Sequence, residues 1–410
     1  CIRDRVGGDY ALDYALAGDP GSSPDTPDFN DILGTDGRDR LIGSDRNDRI
    51  TGGSGRDRMQ GLAGDDVFVV EGFDTAYDVF NGGDGFDTVS GGVLDDTVRV
   101  RRFAGDNTVE RIDGGGGVNV IAGTSDNNRI DLSGTEILNI ALIDSGEGDD
   151  RIKGSNRDDV IDGGPGSDRL QGGPGDDVFL VSGIDTAYDV FNGGEGWDQI
   201  LGGPGDDVIR LKAFSGERTV EAIDGGGGYN IIAGTEESDR INLGNTSVMH
   251  IALVDGSGGE DVIRGSADND VIRGGTGNDI LKGGQGDDLY LFARGDGQDS
   301  ITDRQGTANT DTLRFDVGVD ADQLWFSREG DDLEISVIGS ADSVTVANWF
   351  RGARHQLERI ETGAGEVLLS TEVSRLVSAM AAFSPPDAGQ TVLPEAHEQE
   401  LTPVIAASWQ

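Results

Sequence analysis

Residues 145–180 read SGEGDDRIK, GSNRDDVID, GGPGSDRLQ, GGPGDDVFL, four nine-residue blocks in direct succession. Position 1 is Gly (Ser in the first block), position 4 is mostly Gly, and position 6 is always Asp. Position 8 is apolar throughout: Ile152, Ile161, Leu170 and Phe179. A short fixed period marks a solenoid. Glycines early in the block allow the positive φ angles of a tight turn. The tripeptide after Asp alternates out, in, out, so position 8 points inward from a short strand. An Asp repeated at one turn position stacks carboxylates on neighbouring coils, and such a ladder repels itself without a cation. Carboxylates beside bent backbone carbonyls form a flexible all-oxygen site, which suits Ca2+ better than Zn2+ or Mg2+.

The same four-block cluster stands at 34–69 and at 256–291. Cluster starts at 34, 145 and 256 nest a 111-residue period over the nine. The intervening text agrees: DTAYDVFN at 74–81 recurs at 185–192, and IDGGGG at 112–117 recurs at 223–228. Further blocks fill the units at 82–90, 91–99, 193–201 and 202–210. Weak blocks carry Asn119, Asn128 and Asn230 in place of Asp. The spacers 100–113, 132–144, 211–224 and 243–255 alternate apolar residues and read as strands that cover the stack without metal. The candidate calcium ligands are Asp39, Asp48, Asp57 and Asp66, then Asp150, Asp159, Asp168 and Asp177, then Asp261, Asp270, Asp279 and Asp288, with Asp87, Asp198 and Asp207 from the further blocks.

The expected fold is therefore all-β: a parallel β-roll, or β-solenoid, of nonapeptide repeats in nested 111-residue units. Composition fits a thin core running along a rod. Apolar residues are 35% of 410, Gly numbers 68, and the formal net charge is −45. That charge argues against nucleic acid or an anionic membrane as partner, and predicts an expanded chain when metal is absent. The single Cys is residue 1, so no internal disulfide is expected. No apolar run is long enough to span a membrane. The chain opens on Cys without a signal peptide, and reads as a fragment or the tail of something longer.

After residue 292 the pattern changes. Strands are expected at 312–315, 323–327, 332–338 and 343–350, with one more at 367–369, forming a small antiparallel β domain. A short amphipathic helix follows at 371–383, and 387–410 reads as a polar, acidic tail. The division is 1–33 linker, 34–144 and 145–255 repeat units, 256–301 third cluster, 302–370 β domain, and 371–410 helix and tail. No catalytic motif occurs: His250, His355 and His397 are scattered, and no zinc spacing or phosphate loop is present. The position-7 arginines Arg40, Arg49, Arg58, Arg151, Arg169 and Arg240 read as outer-face residues offsetting nearby acids, the other reading being a polyanion-binding stripe.

These residues resemble the RTX, or haemolysin-type, calcium-binding repeats of secreted bacterial proteins, over about 34–301. The resemblance implies Ca2+ held between the turns of blocks n and n+2. It would pair Asp150 with Asp168, Asp159 with Asp177, Asp39 with Asp57, Asp48 with Asp66, Asp261 with Asp279 and Asp270 with Asp288. Thr35, Asp36 and Ser44, and Arg46, Arg157 and Asp268, depart from the glycine pattern, which implies weaker binding in those blocks. Residues 308–370 resemble the small β domain that often follows such repeats, with Trp325 and Asn348-Trp349-Phe350 as its mark. The segment from 371 resembles a C-terminal signal for type I secretion machinery. The resemblance implies an extracellular protein, an adhesin or cell-surface protein with the cell surface or a glycan as candidate partner, or alternatively the secretion and folding module of an exoenzyme or cytolysin.

Overall fold

The computed structural model describes residues 29–214, 220–302, 304, 309–387 and 389–410. Residues 1–28, most of the expected linker, lie outside them. The first described strand, Asn30–Leu33, already belongs to the roll and pairs with Asp48–Thr51.

The fold is a parallel β-roll closed at its C-terminal end by antiparallel strands and helices. Where nonapeptides run without interruption, each strand pairs in parallel with the strand two blocks on. Arg151–Lys153 pairs with Arg169–Pro174, and Val160–Asp162 with Val178–Val181. One coil is then two strands and two turns, and the side chains at position 8 of both sheets meet in a single-file core. Ile50, Phe68, Ile161, Phe179, Ile272 and Tyr290 are all fully buried there.

The spacers change the cross-section. Thr88–Ser90 pairs with Arg111–Asp113, which pairs with Glu136–Leu138. A new column opens at Thr97–Arg99 and runs through Val120–Ala122 to Leu142–Asp144. Another opens at Arg102–Phe103 and runs through Arg129–Asp131 to Arg151–Lys153. The roll is three-sided over these coils. It returns to two sides when the first column stops at Glu136–Leu138. The same exchange recurs in the second unit, where Val208–Arg210 and Ala213–Phe214 open new columns and Ser247–Met249 ends the old one. No sheet breaks where one 111-residue copy gives way to the next: Leu142–Asp144 pairs with Val160–Asp162, and Leu253–Asp255 with Val271–Arg273.

Each cluster ends on an edge-to-face aromatic pair or its counterpart. Phe68 meets Phe80 at 5.7 Å, Phe179 meets Phe191 at 5.6 Å, and Phe292 meets Phe315 at 5.7 Å between centroids. All six rings are buried in the core. Phe179→Ala is expected to cost about 3–5 kcal/mol, read as a lowered urea midpoint in saturating Ca2+. A loss below about 1 kcal/mol would show that the ring is not packed as described.

At the C-terminal end Thr312–Phe315 continues one sheet and Ser343–Val346 the other, both in parallel with the roll. Asp332–Val337 then pairs antiparallel to Ser343–Val346, and Leu324–Glu329 antiparallel to Asp332–Val337. The strand expected over 343–350 stops at Val346. Asn348 takes a left-handed φ of 61° and Trp349–Arg351 forms a 3-10 turn that buries Trp349. Helix α1, Ser370–Met380, packs Val373, Leu376 and Met380 onto the cap. The expectation of a plain tail at 387–410 is corrected: Glu395–Ser408 is a second helix, α2, which buries Leu401 and Ile405 against α1. Its weak amphipathicity and internal Pro403 hide it from a periodicity reading. Trp409 then bridges to Leu368 and packs on Phe326, so the C-terminal residues are part of the cap.

Candidate metal centres

The Asp at position 6 ends a turn and opens a strand, so its carboxylate points back under its own turn. One oxygen ties the coils together. Oδ1 of Asp168 accepts the Asp150 N–H at 2.8 Å, and Oδ1 of Asp177 accepts the Asp159 N–H at 2.9 Å. Asp57 takes the Asp39 N–H, Asp66 that of Asp48, Asp279 that of Asp261 and Asp288 that of Asp270, each at 2.8–2.9 Å. Asp87 and Asp198 continue the columns by accepting from Asp66 and Asp177, and Asp150 and Asp261 accept from Asn128 and Asp239.

The second oxygen divides the sites into two kinds. Oδ2 of Asp57, Asp66, Asp87, Asp150, Asp168, Asp177, Asp198, Asp261, Asp279 and Asp288 is buried without a hydrogen-bond partner. Oδ2 of Asp39, Asp48, Asp159 and Asp270 instead accepts the N–H of Thr35, Ser44, Ser155 and Ser266 at 2.5–2.7 Å, along with the hydroxyls of the same residues. Asp207 is closed in the same way by the Gly203 N–H at 2.6 Å.

The conformation of position 2 explains the division. In the orphan class it is left-handed: Gly53, Gly146, Gly164, Gly173, Gly275 and Gly284 all have φ between 72° and 126°. Even Leu62 and Ser257, in the blocks of Asp66 and Asp261, adopt φ of 88° and 74°, an uncommon choice for a residue with a side chain. The N–H of position 2 then turns away from the ladder Asp. Gly164 donates to Asp162 Oδ1 at 2.9 Å, and Ser257 to Asp255 Oδ1 at 3.0 Å. The ladder Asp is thereby left open.

Beside the orphan oxygens of Asp66, Asp87 and Asp261 a backbone carbonyl oxygen crowds the same space. A Cβ built on Gly256 would overlap both Asp261 Oδ2 and the Gly274 carbonyl oxygen, and one on Gly61 both Asp66 Oδ2 and the Gly82 carbonyl oxygen. Carbonyl oxygens also face the later glycines of the turn, since a Cβ on Gly164 or Gly166 would overlap the Gly146 or Gly148 carbonyl. Among the described residues, no three acidic, His or Cys side chains converge. A cation here would therefore be held by one or two carboxylates and several carbonyls. That hard, adaptable donor set fits Ca2+ and lacks the nitrogen or sulfur ligands of a zinc site.

Burial raises the ladder. It pushes the Asp168 carboxyl up to about 8, helped by Asp189, Asp150 and Asp149, and Asp177, Asp261 and Asp288 up to about 7. In the unfolded chain these groups titrate near 3.8. The metal-free fold thus binds more protons than the unfolded chain, and its stability falls as pH rises from about 4 through about 8. In chelator, the sheet signal at about pH 5 should exceed that at about pH 8. In millimolar Ca2+ it should stay level between about pH 6 and 8, because the ladder is then ionised in both states. Circular dichroism across this range checks both, and a chelator signal that grows with pH would contradict the ladder.

The structure adds residues that sequence reading passed over. Asp78 and Asp189, from the recurring DTAYDVFN segments, accept the N–H groups of Asp57 and Asp168. Glu110, Glu221 and Glu358 do the same for Asp87, Asp198 and Asp311. Asp299 and Asp311 extend the columns past the last cluster, accepting from Asp279 and Asp288, and Asp299 Oδ2 is another orphan. The signal for Asp78 and Asp189 was present in the recurring DTAYDVFN segment. Glu110 and Glu221 come from spacers, and Glu358 from just before the strand Arg359–Glu361, where no repeat motif sets the register. The Asn-bearing turns satisfy themselves: Asn119 Nδ2 donates to the Gly116 and Asn139 carbonyls at 3.0 Å, and Asn128 Nδ2 to the Ser145 carbonyl at 3.1 Å.

The chain matches the family described as RTX calcium-binding nonapeptide repeat (four copies) over residues 33–68, 75–99, 144–179, 185–209 and 255–290. It matches the haemolysin-type calcium binding protein related domain over 332–369. A curated relative, the iron-regulated protein FrpA of Neisseria meningitidis serogroup C, is 33% identical over 91 residues. That alignment spans 21% of this chain and 8% of the relative. Among solved structures, the extracellular lipase LipA of Serratia marcescens aligns over 48% of this chain and 37% of its own, at 20% identity and a TM-score of 0.21.

Proposed function

We propose, from the premise that this chain is an RTX calcium-binding repeat protein of the haemolysin type, that it is a secreted module which Ca2+ folds outside the cell and which serves adhesion. The carrying observation is the row of buried, unpartnered Oδ2 atoms facing backbone carbonyls. Asp57, Asp66, Asp168, Asp177, Asp279 and Asp288, with Asp87, Asp150, Asp198 and Asp261, would hold the ion alongside those carbonyls. Bound Ca2+ supplies the positive charge that the ladder lacks. Asp39, Asp48, Asp159, Asp207 and Asp270 chiefly brace the turns between sites. Ca2+ sites of the extracellular-module class have a Kd on the order of 10⁻⁴–10⁻³ M, so the chain stays unfolded where Ca2+ is scarce and remains competent for type I export. Outside, binding free energy becomes folding free energy. The segment 302–410 caps the stack, as solenoids require.

The nested units favour adhesion over service to an enzyme. Copies at 34–144 and 145–255 lengthen the rod, with two sheets running through each junction. A chaperoning tail needs only the turns and the cap. The test is deletion of residues 145–255 in the whole protein. It should leave Ca2+-induced folding intact and shorten the rod, while weakening Ca2+-dependent attachment of cells that display it. Attachment unchanged by the deletion, or absent from the intact protein, would favour the exoenzyme module instead. Among the described residues no helix is long and apolar enough to cross a membrane.

A further inference from the structure

On one face of the rod four arginines stand in a single register column. Arg102 lies opposite Arg129, Arg129 opposite Arg151, and Arg151 opposite Arg169. All four are exposed. Neighbouring strands are about 4.8 Å apart, so the column sets four guanidinium groups along roughly 14 Å of the rod. Like charges directly opposite each other destabilise a sheet. Elsewhere among the described strands of the roll such stacks stop at two, Arg40 opposite Arg58 and Arg264 opposite Lys282, and several other arginines are neutralised. Arg111 and Arg157 pair with Glu136, Arg101 with Asp126 and Arg49 with Asp31. Among the described residues, none of the four column arginines forms an ion pair.

The column is not a by-product of the repeat. It forms only because the exchange from three-sided to two-sided coils aligns a spacer, an Asn-bearing block and two calcium blocks. In the next unit the same register runs Ala213, Arg240, Val262, Ile280, with a single charge. An open groove of about 580 Å3 follows the column on its turn side, lined by all four arginines with Asn127, Ser167 and Tyr188. A second groove of about 400 Å3 follows the other side and adds Lys153, Gln171 and Asn192.

We infer that this column binds a linear acidic polysaccharide carrying one carboxylate per sugar. The strand spacing is close to the length of a pyranose ring, so successive carboxylates meet successive arginines. The guanidinium fork takes a carboxylate by two parallel hydrogen bonds. Tyr188 offers an aromatic flank, and Asn127, Ser167, Gln171 and Asn192 offer hydroxyl partners. The column is one residue wide, which suits a single extended polymer and not a flat anionic surface. The net charge of −45 does not forbid this. At physiological salt the Debye length is about 8 Å, so the bound anion senses the column and its immediate neighbours. Those neighbours include Asp149, Asp150 and Asp168 on the groove's edge, whose charge bound Ca2+ would offset. Binding should therefore require Ca2+, and the inference rests on the calcium-loaded fold proposed above.

The test is titration calorimetry of the whole Ca2+-saturated chain with oligouronates too short to gel, at physiological salt. Inorganic polyphosphate and a neutral glucan oligomer serve as the comparison probes. The oligouronate should bind and the neutral glucan should not. The triple variant Arg129→Gln, Arg151→Gln, Arg169→Gln should lose about tenfold or more in affinity, while Arg40→Gln with Arg240→Gln changes nothing. Circular dichroism against Ca2+ is read in parallel. The triple variant should fold at the same or a lower Ca2+ concentration, since the like-charge column is relieved, so a folding failure is distinguishable from a binding failure. No binding by the folded wild-type chain, undiminished binding by the triple variant, or binding of polyphosphate without the oligouronate would each overturn the assignment.

Discussion

In a calcium chelator near pH 8 the chain is expected to show the circular dichroism of a coil, and millimolar Ca2+ should convert it to sheet in one cooperative step. Eleven ladder Asp residues bury an Oδ2 atom that has no partner within the chain. A buried unsatisfied polar atom costs about 1–3 kcal/mol, and more when charged, so the set costs on the order of 10–30 kcal/mol. A native domain has only about 5–15 kcal/mol in hand. The single-file core cannot offset such a deficit, because each coil contributes few buried side chains. Burial and mutual repulsion in the ladder point the same way, raising Asp168 and Asp299 to about 8. Cooperativity follows from the connectivity. Each Asp Oδ1 holds the backbone of the preceding coil, and the sheets pass through every unit junction. A chain that keeps its full sheet signal in chelator at this pH would refute the calcium-folding mechanism.

Much of this was legible in residues. The triplet Arg151-Ile152-Lys153 has one inward position, and the structure buries Ile152 while leaving Arg151 exposed. Thr35 and Ser44, where glycine is usual, were visible as departures from the pattern, and both close on their own Asp. Gly203 closes too, while Leu62 and Ser257 stay left-handed. Which turn stays open depends on where one N–H points, which only the fold supplies. The three-sided coils were hidden for a different reason. Spacers such as 100–113 read as strands, but nothing in Arg102-Phe103 says that it opens a new column instead of extending an old one. That choice belongs to long-range pairing. It also decides the arginine column, because Arg102 and Arg169 are 67 residues apart and share no motif. Helix α2 is held by Trp409, Phe326 and the strand Val367–Leu369, tertiary contacts that the tail's own composition does not announce.

Replacing a ladder Asp by Asn should have a different effect from replacing it by Ala, and the protein already contains the reason. At Asn119 and Asn128 the side-chain amide donates to carbonyls of its own turn and of the next coil, so those turns are complete without metal. Asp66 and Asp261 offer the same opportunity, since their Oδ2 atoms face the Gly82 and Gly274 carbonyl oxygens. Two oxygens meet there, and only a cation or a donor reconciles them. Asp66→Asn with Asp261→Asn supplies the donor, removes two raised carboxyls, and leaves Oδ1 to accept the Asp48 and Asp239 N–H groups. Asp66→Ala with Asp261→Ala removes the ligand and strands both those N–H groups and the carbonyls. The difference should be about 1–3 kcal/mol per site. Both double variants should bind fewer Ca2+ ions and melt lower than wild type at high Ca2+, where each lost site forfeits stabilisation that grows with the logarithm of concentration. At limiting Ca2+ they should part: the Asn variant folds at a Ca2+ concentration no higher than wild type, and the Ala variant at a clearly higher one. Ca2+ titrations followed by circular dichroism, with ion counting by calorimetry, decide it. An Asn variant that needs as much Ca2+ as the Ala variant would mean that the orphan oxygens are not the reason the metal-free chain fails to fold.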